Sequence, residues 1–358
     1  MATKTHITSR APTRIDLAGG TIDLWPLYLF LERPTTINLG IDLFAEAELI
    51  ESDSKKAGHG SVTLRSDDQN IEQEISWEAL SQAKVPPQLE LHLKLLRHFT
   101  LFRKPGTDLT LKTRAKSPAG AGLGGSSTLS IAMIGALASW AKGQPVNPVE
   151  EGEKWIDIVR DVETTVIQVP AGVQDYYGAM YGGLQSLQWG AGRHQREWLP
   201  DDLIPELESR LLLFYSGQSR NSGINNWALF KGFIDNQEDI RGRFAKINQA
   251  TRKLETCLLE RRWSDAGEAI AAEWDVRRTL AAGISTPEMD RAFEIAKSIA
   301  PGRAGKICGA GGGGCFFIYL PDPKDKAAVE RALVAEGMRA LPFRASPRGL
   351  EVHIRRGA

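Results

Sequence analysis

The stretch Pro118-Ala119-Gly120-Ala121-Gly122-Leu123-Gly124-Gly125-Ser126-Ser127 decides how this chain is read. It follows Leu109-Thr110-Leu111-Lys112-Thr113, which reads as a strand. It runs into Leu129, Met133 and Leu137, whose four-residue steps predict a helix that Gly143 ends. Glycine at this density costs backbone entropy and is kept where a backbone must approach something closely. Bare N–H groups at a helix start, with the helix dipole behind them, form an anion site. The stretch therefore reads as a phosphate cradle; the other reading is a tight turn whose serines only cap the helix. It is not a Walker loop, since no Gly-Lys-Ser or Gly-Lys-Thr follows. Far downstream, Gly309-Ala310-Gly311-Gly312-Gly313-Gly314 runs into the apolar Cys315-Phe316-Phe317-Ile318-Tyr319-Leu320.

Working outward, strands are expected near 11–18, 35–41 and 43–51. A hairpin is expected within 51–75, with Val62-Thr63-Leu64 as one arm and Gly58 and Gly60 near its turn. Leu89, Leu93, Leu96 and Phe99 predict a helix over 87–102. A second helix is expected over 147–165, with Trp155, Ile158 and Val159 on one face and Asp157, Asp161 and Glu163 on another. Residues 190–208 read as a connection, 211–215 as a buried strand, 223–300 as helical, 324–337 as a helix and 350–354 as a last strand. Strands and helices alternate without a clean βαβ rhythm, which favours α+β.

The chain has 358 residues, 42% apolar and 25% charged, with Lys+Arg and Asp+Glu equal at 44 each. That length admits two domains. The balanced charge gives no case for nucleic acid or a membrane surface. The three cysteines, Cys257, Cys308 and Cys315, lack metal-ligand spacing and point to a reducing compartment without a disulfide framework. Met1 to Arg10 carry no apolar core of a signal peptide, and no uncharged apolar run is long enough to span a bilayer. The cytoplasm is the expected location.

Phosphoryl transfer needs a cradle for phosphates, a metal held by oxygens, and a group that orients or deprotonates the attacking hydroxyl. The cradle is 120–127. Mg²⁺ takes one or two protein oxygens besides phosphates and waters; Ser126 and Glu163 are the candidates, although a lone Glu on an exposed helix face is ordinarily solvated. Asp175 is the candidate base, with Arg14 as a partner that would favour its ionised form; the alternative is a helix cap. Asp23, in Gly19-Gly20-Thr21-Ile22-Asp23, reads either as a turn former or as an acceptor for substrate hydroxyls.

Three separated motifs resemble the GHMP kinases. They are Ala11-Pro-Thr-Arg-Ile-Asp-Leu-Ala-Gly-Gly-Thr-Ile-Asp23, then Pro118 to Ser127, then Lys306-Ile-Cys-Gly-Ala-Gly-Gly-Gly-Gly-Cys315. The resemblance implies a two-domain α+β fold, S5-like in the N-terminal domain and ferredoxin-like in the C-terminal domain, divided here as 1–195 and 196–358, with the site in the cleft between. It implies ATP and Mg²⁺, with Ser126 and Glu163 holding the metal. The twelve residues from Glu163 to Asp175 are the family's separation between its metal glutamate and its catalytic aspartate. Asp175 and Arg14 become the catalytic pair. Pro118, Gly120, Gly122, Leu123, Gly124, Gly125, Ser126 and Ser127 bind the nucleotide, joined by Gly311 and Gly312 from the second run.

Within the family, Ala18-Gly-Gly-Thr-Ile-Asp-Leu-Trp-Pro26, Gln174-Asp-Tyr-Tyr-Gly-Ala179 and Tyr215-Ser-Gly-Gln-Ser-Arg220 look like the sugar kinases of the heptose 7-phosphate and fucokinase type. That implies a sugar or sugar-phosphate acceptor, phosphorylated on an anomeric hydroxyl, met by Asp23, Gly19, Gly20, Gln174, Arg220 and Gly312. Arg193 and His194 are further candidates for a substrate phosphate. Tyr176 stands where a second glutamine is common, Val169-Pro170-Ala171-Gly172 replaces a more glycine-rich approach, and Ile22 is an insertion before Asp23. A mevalonate-type kinase or diphosphate decarboxylase, a nucleotide-binding sensor without catalysis, and a dinucleotide-binding enzyme stay as alternatives. The last lacks its Gly-x-Gly-x-x-Gly spacing in the first loop. A homodimer is neither required nor excluded.

Overall fold

The computed structural model of the chain describes residues 3–54, 59–102, 106–217 and 222–357. Two long strands, β1 (Thr3–Ala18) and β2 (Thr35–Asp53), pair antiparallel along most of their length. Their alternating apolar residues Ile7, Ile15, Leu39 and Leu49 are wholly buried, as the two-residue period of a strand requires. β2 is one strand, not the two expected at 35–41 and 43–51. It changes partner midway rather than ending, and the Asp42 N–H between the two stretches donates to the Arg344 carbonyl at 2.9 Å.

β3 (Ser61–Ser66) and β4 (Ile71–Ser76) form a hairpin that turns at Asp67-Asp68-Gln69-Asn70, not at the upstream glycines. Asn70 adopts φ 50° and bonds the Asp67 carbonyl at 3.3 Å, a backbone state that asparagine tolerates. Gly60 instead packs against Thr107, and Gly58 lies outside the described residues.

α1 (Pro87–Arg97) and β5 (Thr107–Ala115) lead to α2 (Gly125–Lys142), α3 (Pro148–Ile167), α4 (Gln174–Tyr181), β6 (Leu184–Gln188) and β7 (Gln195–Trp198). α2 is buried from Ser127 through Trp140 save for the half-buried Leu129, as befits a helix that is apolar nearly all round. Gly143 ends it at φ 71°. Asn147 caps α3 by accepting from the Val149 N–H, with Pro148 in the first turn.

The presumed connection at 190–208 contains β7 and the start of α5 (Leu203–Arg210). Then come β8 (Leu211–Tyr215), α6 (Ser222–Ile234), α7 (Ile240–Leu259), α8 (Trp263–Arg277), α9 (Pro287–Ile299), β9 (Ala304–Ile307), β10 (Cys315–Tyr319), α10 (Lys326–Ala335), β11 (Arg339–Ala340) and β12 (Glu351–Arg356). The helical run expected at 223–300 is thus α6 to α9. A second sheet, ordered β11-β8-β10-β9, is antiparallel throughout. The α+β class holds.

The first sheet is ordered β12-β1-β2-β5-β3-β4, with β6 and β7 attached to β2. Its edge strand β12 comes from the far end of the sequence and sets Ile354 opposite Ile7. Both β12 and most of β7 lie beyond residue 195, so the first sheet crosses the division expected at 195/196. The return runs through Ser346, whose N–H bonds the Gly40 carbonyl at 2.8 Å, and Leu350, which bonds Met180 at 3.1 Å. The three cysteines are free and buried. Among the described residues, no helix is long and apolar enough to cross a membrane.

Candidate active site

The cradle leaves β5 and enters α2 with Gly120, Gly122 and Gly124 at φ 68°, 74° and 74°. The second glycine run lies directly against it. The Ala121 carbonyl accepts from the Cys315 N–H at 2.6 Å, and a Cβ on Gly309 would fall 2.7 Å from the Gly122 Cα. Part of the glycine content therefore serves loop-to-loop contact rather than a ligand. Gly309 and Ala310 reach the cleft that the cradle lines. Gly311 and Gly312, expected at the nucleotide and substrate, instead pack against Ile284, to whose carbonyl the Gly312 N–H donates at 2.8 Å.

Arg14 enters from β1 just past an irregularity in its pairing with β2 at Ala11/Thr13. Its guanidinium is almost wholly buried, and each of its three nitrogens donates. Nε and Nη2 donate to Asp175 Oδ1 at 2.8 and 2.5 Å, and Nη1 donates to the carbonyls of Gly122 and Cys308, each at 2.8 Å. The pairing expected between Arg14 and Asp175 is present, and one cation also ties both glycine loops together. Asp175, on the first turn of α4, keeps 23% of its side chain exposed to the cleft beside Gly124.

Glu163 is not on an exposed face. Gly152, Ile156, Val159 and Glu163 follow the helical period and form the buried side of α3, where Glu163 is 4% exposed. Its Oε2 accepts from the Tyr176 hydroxyl at 2.8 Å and from Ser130 Oγ at 3.5 Å, and the nearby Ser126 and Ser127 hydroxyls favour the charged carboxylate. Burial pushes its carboxyl up, Asp175 adds like charge, and these neutral hydroxyls oppose both only in part. A cation would complete this site, and Ser126 lies beside it on the cradle. Among the described residues no cluster of three or more His, Cys, Asp or Glu could hold a metal. This arrangement suits only an ion that takes few protein ligands.

Asp23 is buried. It accepts from the Gln174 N–H at 2.9 Å, and both residues line the cleft. Burial, with Asp175 adding repulsion, pushes its carboxyl up to about 6. Gly19 and Gly20, expected at the substrate, lie behind this wall. A Cβ on Gly20 would overlap the Asp16 carboxylate, and the Gly19 N–H donates to Glu273 Oε1 at 3.3 Å. Arg220 lies outside the described residues. Arg193 is exposed, and His194 packs edge-on against Trp189 at 5.0 Å; neither lines the cleft.

Sequence reasoning missed a buried ionic cluster. Lys306 Nζ meets Glu273 Oε1 at 2.9 Å and Asp16 Oδ2 at 3.3 Å, and Arg277 meets the same two atoms at 3.3 and 3.0 Å. All four side chains are at most 3% exposed. Burial alone would raise the Asp16 carboxyl, but Lys306, Arg277 and Arg14 hold it below its ordinary value. Arg277 also donates to the Gly309 carbonyl at 2.9 Å, so the cluster braces the second loop. Lys306 sits in the third motif, and Asp16 in the first; that co-occurrence was the only available signal.

The whole forms one cleft of about 720 Å³. Asp23, Gln174, Asp175, Glu163 and the cradle line it, and Leu91, Leu129, Val166 and Ile167 add apolar wall.

Comparison with known proteins matches residues 90–183 to the GHMP kinases N terminal domain and residues 254–340 to GHMP kinases C terminal, together about half of the chain. The chain is 26% identical to D-glycero-alpha-D-manno-heptose 7-phosphate kinase of Campylobacter jejuni, over 92% of this chain and 94% of that protein. It is 25% identical to L-fucokinase/L-fucose-1-P guanylyltransferase of Bacteroides fragilis, over 91% of this chain but 36% of that longer protein. The crystal structure of a D-glycero-D-manno-heptose 1-phosphate kinase from Bacteriodes thetaiotaomicron superposes with a TM-score of 0.73. It covers 97% of this chain and 98% of that one at 20% identity, a likeness of fold.

The ionic cluster yields a stability prediction. Lys306→Met leaves Asp16 and Glu273 with one cation between them, and breaking such a buried pair costs about 3–5 kcal/mol. Urea unfolding is expected to show that loss. A midpoint equal to that of the unaltered protein would refute the bracing role.

Proposed function

The chain belongs to the GHMP kinases, and we propose that it transfers the terminal phosphoryl group of ATP to a hydroxyl of a sugar or sugar phosphate. The observation that carries this reading is the placement of Asp175. Its Arg14-held carboxylate stands in the same cleft as the cradle and Asp23. The resemblance to heptose-phosphate and fucose kinases over nearly the whole chain supports a sugar acceptor. The finer proposal is the anomeric hydroxyl of a heptose 7-phosphate.

In this reading Asp175 orients the acceptor hydroxyl and takes its proton as the O–P bond forms. Arg14 keeps that carboxylate fixed and balances charge. The N–H groups at the start of α2 receive phosphate oxygens, and the apolar side chains of Leu91, Leu129, Val166 and Ile167 receive the base. Glu163 and Ser126 would hold Mg²⁺, which supplies charge neutralisation on the phosphates. Asp23 accepts hydrogen bonds from acceptor hydroxyls.

Purified protein with ATP and Mg²⁺ is offered heptose 7-phosphate, fucose, mannose, galactose, mevalonate or homoserine singly. Mass spectrometry reads the gain of one phosphoryl group. A sugar product is expected; a product from mevalonate alone would overturn the reading. Asp175→Asn is expected to lower kcat by about 10²–10⁴-fold while ATP still binds, and turnover like that of the unaltered protein would remove Asp175 from its role.

Asp23 sets a pH dependence. The raised value means its carboxylate is protonated as pH falls through about 6. A neutral carboxyl accepts hydroxyl hydrogen bonds less well. KM for the acceptor is therefore expected to rise on the acid side, with Asp175, Asp16, Arg14 and Arg277 all shaping the midpoint. Asp23→Asn should flatten that limb. An acceptor KM that stays constant across this range in the unaltered protein would exclude Asp23 as the reader.

A further inference from the structure

We propose that Tyr176 is a positioning residue for the metal: its hydroxyl fixes the Glu163 carboxylate in the orientation that receives the cation. This rests on the reading of Glu163 as a metal ligand. Tyr176 and Asp175 are neighbours in the first turn of α4, and successive helical residues point about 100° apart. Asp175 turns to Arg14 and the cradle. Tyr176 turns to α3, where its hydroxyl donates to Glu163 Oε2 at 2.8 Å with the ring wholly buried. Ser130 falls on the same oxygen at 3.5 Å, so these two contacts hold Oε2 alone.

A buried carboxylate with neutral donors keeps its charge available to a cation, whereas a salt bridge would spend it. The bond also couples two helices, so that the ion and the proton acceptor are set by one rigid turn. By contrast, the adjacent Tyr177 hydroxyl donates to Glu153, which does not line the cleft.

The test uses Mn²⁺ as a paramagnetic probe, read by electron paramagnetic resonance in the presence of a non-hydrolysable ATP analogue. Partners that orient a metal ligand are worth about 10–100-fold in metal affinity. Tyr176→Phe is expected to weaken Mn²⁺ by at least about tenfold, while metal-free nucleotide affinity stays unchanged and saturating metal restores kcat. Tyr177→Phe should leave Mn²⁺ affinity intact, and Tyr176→Phe added to Glu163→Gln should bring no further loss. Unchanged Mn²⁺ affinity in Tyr176→Phe, with Glu163→Gln weakened, would overturn the proposal. Unchanged affinity in Glu163→Gln would instead overturn the metal reading itself. If Tyr176→Phe fails to fold, 4-aminophenylalanine at this position keeps a ring donor at the same reach and must retain tighter Mn²⁺ binding than 4-methylphenylalanine there, which fills the same volume without a donor; equal loss in both would also overturn the proposal.

Discussion

One guanidinium, that of Arg14, holds the centre of this molecule together. It is buried and its donors are distributed among a carboxylate on α4 and one carbonyl from each glycine loop. Burial of an arginine is costly unless its charge is paired and its donors are bonded, and here the partners come from three separate parts of the sequence. The pairing therefore works in both directions. The fold must bring the loops and α4 together to satisfy the charge, and the charge fixes the carboxylate and loops relative to one another. A lysine at this position could not do the same, since a point charge lacks the planar fork that reaches two carbonyls and a carboxylate at once.

The ionic cluster behind Gly19 and Gly20 plays the complementary part. Asp16 comes from β1, Glu273 and Arg277 from α8, and Lys306 from β9. These elements belong to different sheets and their helices, so the cluster clamps the two layers at the wall of the cleft, which Asp16 and Arg277 help to line. Asp16 Oδ1 and Glu273 Oε2 remain buried without a protein partner. Desolvating them is costly, and the charges sit at a junction between the two layers.

What was legible in the sequence was local. Glycine density followed by helical periodicity marked the cradle, and Gly143 marked the end of α2, because both depend on neighbouring residues. The meeting of Arg14 with Asp175 was legible only through the joint presence of three motifs, since nothing local ties a strand residue to a distant helix. Glu163 was placed on the wrong face because the buried stripe of α3 includes Gly152 and Glu163 itself, which break its apolar signature. Gly19 and Gly20 looked like substrate contacts, yet their lack of a side chain makes room for Thr35 and Thr251 at the first and for Asp16 and Arg277 at the second. Lys306 and Glu273 each read as ordinary charged residues, and only their convergence gives them meaning. The same applies to Gly311 and Gly312, whose neighbour Ile284 could not be foreseen.

The pairing of β12 with β1 has a consequence for how the chain is made. The edge of the first sheet is supplied by residues 351–356, so that sheet is not closed until almost everything described here has been synthesised. At roughly 5–20 residues per second the wait is on the order of tens of seconds. During that interval β1 emerges with β2 on one side and an open hydrogen-bonding edge on the other, which is the kind of edge that recruits foreign strands. The residues of β1 facing that gap include Thr5, Thr8, Ser9 and Arg10, polar side chains that keep a nascent edge from being sticky. β12 thus joins the first sheet after its other strands have been made, and β1 waits for it with one edge open.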